Sequence, residues 1–210
     1  MLPVKDLAQL GQRVAATHGW AAAKAFKAYA WSDADRARIA RCASELLGVF
    51  PKGPGTVNLL TAALAVQLQR HLQAPVHLVA GTLSVDGAAV LGDRLPFDGP
   101  GVFAEPNPAW PGHLWVMVGA HVVDVAIFRI AYSPDCPPEL AHHVHGVFGP
   151  DKGLYADQWR QARRLGLAYE PQYVLSEDDL MRLMAAAHHA MVRAIEDRQG
   201  VEAIEGRQGA

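Results

Sequence analysis

The segment from Leu59 to Leu72 restricts this chain more than any other. Leu60, Leu64, Leu68 and Leu72 recur every four residues, with Ala62, Ala63 and Ala65 between them. A spacing of four keeps side chains on one helical face, and small residues on the other faces let neighbours approach closely. The pattern predicts a helix buried on more than one side, the spine of a domain. Before it, Pro51-Lys52-Gly53-Pro54-Gly55 reads as a stiff loop that delivers the chain to a helix start near Asn58. After it, Pro75-Val76-His77-Leu78-Val79-Ala80-Gly81 reads as a strand.

Around this spine the periodicity changes twice. From Val76 to Phe128 it shortens to that of strands: Val76-Leu78-Ala80 and Val122-Val123-Val125-Ile127 are aliphatic and separated by Gly and Pro turns. A hairpin centred on Gly119-Ala120 carries Gly112-His113-Leu114-Trp115 out and His121-Val122-Val123-Asp124 back. Leu91 to Gly112 is rich in proline and glycine and is expected to be an extended excursion. Helices are expected on either side. Leu7, Leu10 and Val14 share a face of a first helix ending near Gly19. Ser32 to Asp35 is a capping signal for a second, whose Ile39, Cys42, Leu46 and Val49 face a core. Pro138 to Val144, Leu154 to Arg164, and Ser176 to about Arg198 complete the set, with Ser176 and Asp179 forming a capping box in which Asp replaces Glu. The expected architecture is α+β: a buried helix on an antiparallel sheet, with further helices at both ends. Residues 1–198 are read as one domain and 199–210, which contain a short duplication, as a flexible tail.

Composition excludes several classes. A net charge of −2 over 210 residues offers no basic face for nucleic acid. No apolar run reaches the ~18–20 residues that span a bilayer. Met1 to Gly19 carries Lys5, Asp6 and Arg13 within an amphipathic pattern, unlike a signal peptide, so a cytoplasmic location is expected. Two cysteines fit that compartment.

One constellation carries chemistry. With the hairpin turn at Gly119-Ala120, Val118 pairs with His121 and Trp115 with Asp124, and His113 lies diagonal to Asp124. Diagonal neighbours sit ~7–8 Å apart at the backbone, within side-chain reach. A carboxylate on one imidazole nitrogen fixes the tautomer and leaves the other as a base. A one-residue slip puts the two side chains on opposite faces, and His113 and Asp124 are then ordinary strand and turn residues. The helix start adds a partial positive charge that stabilises anions. Asn58 there is either a cap of the first turn or the occupant of a reactive position, and Thr56 is a further cap or ligand-binding hydroxyl.

The ordered set resembles the core of transglutaminase-like and papain-like cysteine enzymes over about Gly53 to Phe128. In those families a cysteine opens an Ala- and Leu-rich helix, a Pro-x-x-x-x-x-Gly strand begins about seventeen residues later, and a His-x-Trp strand and an Asp follow. Counting back from Pro75 and Gly81 places Asn58 where the cysteine stands; His113, Trp115 and Asp124 match the rest. The resemblance implies a papain-like fold of a bacterial family within that superfamily, whose nucleophile has been replaced. A carboxamide has no thiolate-like state at neutral pH. Three functions follow as expectations: a non-catalytic relative whose cleft takes a peptide or other amide-bearing ligand, with Trp115 and Thr56 at the site; an amide hydrolase or acyl transferase using Cys136 or a water activated by His113; or a structural or metal-binding protein. Cys42 is expected to be a buried structural thiol. His142, His143 and His145 lack the companion motifs of a zinc site and read as a polar cluster, so neither metal nor cofactor is expected.

Overall fold

The structure is a computed structural model that describes residues 3–208 apart from 54, with side chains from 7 to 197. The spine helix α3 (Val57–His71) is present, and every residue from Leu59 to Ala65 is buried, as is Leu68. It follows helices α1 (Pro3–Ala28) and α2 (Asp33–Val49). Ser32 caps α2 with a reciprocal box: its hydroxyl accepts from Asp35 N–H, and the Asp35 carboxylate accepts from Ser32 N–H. α1 runs past the expected end near Gly19. It breaks there instead, at φ 85° and ψ 167°, and resumes to Ala28. That conformation is essentially confined to glycine, so the residue marks a bend rather than a terminus.

Among the described residues six strands form one antiparallel sheet: β1 (Val76–Val85), β2 (Ala88–Leu91), β3 (His113–Val118), β4 (His121–Asp124), β5 (Tyr155–Gln158) and β6 (Leu167–Val174). β1 is central. β6 pairs with it from Val79 to Val85, overlapping the partners of both β3 and β2, so β3 and β2 share the other edge in tandem. β4 and β5 extend the sheet beyond β3. The hairpin register is the expected one, with Val118 opposite His121 and Gly119 in the turn at φ 54°.

The remaining helices are α4 (Gly99–Val102), α5 (Ala126–Ala131), α6 (Pro138–Phe148), α7 (Trp159–Arg164) and α8 (Glu177–Gln208). α4 is a single turn inside the expected excursion. α8 opens on the Ser176–Asp179 box, in which Ser176 N–H donates to Asp179 and Asp179 N–H to the Ser176 hydroxyl. The backbone of the duplicated tail continues α8 to Gln208; positions 209 and 210 lie outside the described residues.

Three expectations are corrected. The strand pattern Val125-Ile127 becomes helix α5, because the Asp124 side chain accepts from Ala126 and Ile127 N–H and turns the chain. Leu154 to Arg164 is not one helix: Tyr155–Gln158 pairs with β4 before α7 begins. β6 was not expected at all, since Pro171 breaks its pattern. It is an edge strand, where proline is tolerated, and the register shifts where Gly81 faces Pro171.

Alternation along β3 divides the core. Leu114, Val116 and Val118 pack with α2, α3 and α8, whereas Trp115 and Met117 pack with α1, α6 and α7. The result is a helix–sheet–helix sandwich of α+β type. Among the described residues no helix is long and apolar enough to cross a membrane.

Candidate functional site

His113 and Asp124 meet as the register requires. His113 opens β3, Asp124 closes β4, and Nε2 lies 2.6 Å from Asp124 Oδ2. A carboxylate can only accept, so Nε2 carries the proton and donates; Nδ1 is left without a protein partner among the described residues. Trp115 stacks beside the imidazole, with ring centroids 6.1 Å apart. The pair is closed from solvent: His113 is 1% exposed and Asp124 0%.

Asp124 is fully engaged. Oδ1 accepts from Ala126 and Ile127 N–H at 2.8 and 3.0 Å, and Oδ2 accepts from the Tyr169 hydroxyl at 2.9 Å as well as from His113. Tyr169, from the unexpected strand β6, is the member of the site that sequence reasoning missed. No motif flags it, because its strand could not be read past Pro171. Burial, then the Asp124 charge, push the Tyr169 hydroxyl well above its ordinary range, so it remains a donor. Tyr155 lies parallel to it at 6.4 Å, and burial raises its hydroxyl likewise.

Asn58 does not join this network. The helix starts one residue earlier than expected, at Val57 with Thr56 at the cap, and Asn58 makes no side-chain hydrogen bond among the described residues. It is half-buried. α3 returns antiparallel to β1, so its first turn lies toward the end of the sheet where β3 starts and β4 finishes. Yet α3 covers the face of Leu114 and Val116, and His113 projects with Trp115 from the other. Helix start and histidine share an end of the sheet but not a face.

Thr56 does not cap with its side chain; Oγ1 donates to Gly53 O at 2.8 Å and holds the loop closed. Thr56 and Val57 line a cleft of about 790 Å³ between the 52–57 loop and the 151–153 loop, with α5 behind. Arg129 braces the back wall by donating to Pro51 O and Phe50 O. Tyr132 ties the second loop in place: its hydroxyl donates to Gly149 O and accepts from Lys152 N–H. Lys52, Lys152, Asp135 and Asp151 are among the residues that line this cleft. Neither His113 nor Asp124 lines it.

Cys136 stays in its own loop, its thiol against Pro137 O at 3.3 Å, and burial pushes its pKa up, the wrong direction for a nucleophile. Cys42 is buried in α2, as expected. Among the described residues no group of three His, Cys, Asp or Glu side chains gathers in a way that could hold a metal ion. His143 instead faces Asp86 at 3.6 Å, and His145 packs on Tyr132. The helix–sheet frame and buried His–Asp–Tyr network define an α+β protein with a closed polar centre and a separate open cleft. Compared with protein-family models, with curated proteins and with solved structures, the chain matches none.

Proposed function

We propose that this protein is a non-catalytic binding protein, and that it takes a short peptide or other amide-bearing ligand in the cleft at the start of α3. The observation that carries the reading is the separation of parts. The His113–Asp124 pair is sealed, its carboxylate is saturated by four donors, and no nucleophilic side chain reaches its free nitrogen. A hydrolytic base needs a proton within hydrogen-bond reach, directly or through one water. In this role the pair and Tyr169 brace the sheet.

The open cleft suits a peptide. Its lining carries both Lys52 and Lys152 and Asp135 and Asp151, which suits a molecule bearing both charges, and the uncapped first turn of α3 offers N–H groups to a carbonyl or carboxylate. Titration with unblocked di- and tripeptides, followed by backbone NMR shifts, is expected to move Thr56, Val57 and Lys152 and to leave His113 still. Thr56→Val and Lys152→Ala weaken that binding. Turnover of a p-nitrophenyl ester or a thioester that disappears in His113→Ala overturns the non-catalytic reading. The resemblance to transglutaminase-like enzymes has its own test. With Asn58 and His113 on opposite faces of the sheet, an Asn58→Cys thiol is expected to alkylate at pH 6 at the same rate whether or not His113 is alanine; a thiol that His113 accelerates restores the transglutaminase-like arrangement and leaves the peptide titration to stand or fall alone.

A further inference from the structure

A second cavity lies on the other side of the sheet, in the elbow that Gly19 puts into α1. The first half of the helix contributes Leu7, Gly11 and Gln12, the second half Trp20, Phe26 and their neighbours, and Trp159 with Ala120 closes the floor. Its volume is about 510 Å³, within the size range of small-molecule sites. Two features make it more than a gap in packing. Trp20, in the wall, is 79% exposed, an unusual position for the largest apolar side chain. Lys24, Lys27 and Arg160 also stand at the wall, and among the described residues no carboxylate lines it and none of the three has an acidic partner.

From this juxtaposition we infer that the elbow binds an amphipathic anion, an aliphatic chain that lies against Leu7, Phe26 and Trp159 and ends in a carboxylate held by Lys24, Lys27 and Arg160. Apolar walls supply the affinity for the chain, and the cations beside them favour an anionic head group. Exposed ammonium groups on flexible stems can close on a head group without strain. The site is independent of the peptide cleft, with which it shares no lining residue.

Decanoate, below its micellar concentration, is the probe, read by calorimetry and by the emission of Trp20 and Trp159. The expected result is saturable binding of one decanoate per chain. Decyl maltoside, which has the same chain and no charge, binds about tenfold more weakly or not at all, and Lys24→Gln with Lys27→Gln weakens decanoate by a similar factor. Gly11→Leu supplies the structural control. A Cβ at Gly11 meets nothing within 4 Å, and leucine favours helix over glycine, so this variant folds while filling the cavity. It is expected to abolish binding. The proposal is overturned if decanoate does not saturate, if charged and neutral probes bind alike, if Gly11→Leu binds as well as the parent, or if the protein binds anionic vesicles through Trp20 while ignoring decanoate.

Discussion

Asp124 shows what one side chain can decide. It ends a strand, starts a helix and holds a histidine and a tyrosine, all without solvent. Asp124→Ala strands four donors in a dry interior and is expected to cost about 3–5 kcal/mol, measured by urea unfolding. Asp124→Asn keeps an oxygen for the two N–H groups, and its amide can donate to His113 and Tyr169 once they present lone pairs; its cost is expected to be less than half of that. His77 makes a different point. It is buried in β1 against the rings of His18 and Phe26, and burial, helped by His18, lowers its pKa to about 4. The folded state therefore holds this imidazole neutral, while the unfolded chain protonates it near its ordinary value of 6.5. Its contribution is fully present above pH 6.5 and is lost as pH falls toward 4, on the order of 3 kcal/mol in all. His77→Phe is expected to flatten the stability profile across that window.

Among the elements, β1 bears the tightest constraint. A Cβ on Gly81 would lie 2.1 Å from Glu170 O and 2.9 Å from the Trp115 ring. Neither a strand backbone nor a buried indole can give way, so Gly81→Ala is expected to cost about 2–3 kcal/mol by thermal or urea unfolding. The effect on α2 is gentler: Ser32→Ala removes one half of a capping box, at about 1 kcal/mol. Both elements were legible in the sequence for the same reason, which is that their determinants are local. Leucines every four residues, a Ser–Asp spacing and an alternating hairpin around Gly119 need no distant partner. The His113–Asp124 bond followed from that register alone. Where distant contacts decide, sequence reasoning failed. β6 depends on an edge position that excuses Pro171, β5 on pairing with β4, and Tyr169 on β6 being there at all. The start of α5 falls between these cases, since an aspartate next to aliphatic residues reads as strand until its carboxylate is seen to collect N–H groups.

For the whole molecule, the sheet is a partition. The peptide cleft at α3 and the elbow of α1 share no lining residue, and the sealed polar centre lies on the elbow's side of the sheet, with Trp115 and Tyr169 against Trp159. Ligands for the two openings are therefore expected to bind additively. Decanoate at one hundred times its dissociation constant stabilises the folded state by about 2.7 kcal/mol, a rise of about 5–10 °C in melting temperature. Gly11→Leu is expected to lose that rise and to keep the response to peptide.

The late position of Tyr169 also sets an order of events during synthesis. The carboxylate of Asp124 and one edge of β1 are finished only by residues that leave the ribosome after the first five strands have been made. Until then the central strand offers a bare hydrogen-bonding edge, and the aspartate has water in place of a phenol. Domains take shape as units from the N-terminal side, but this one cannot close before its final strand arrives. A nascent chain arrested short of Leu167 is thus expected to be cleaved faster in limited proteolysis than one that includes β6, whose pairing covers that edge.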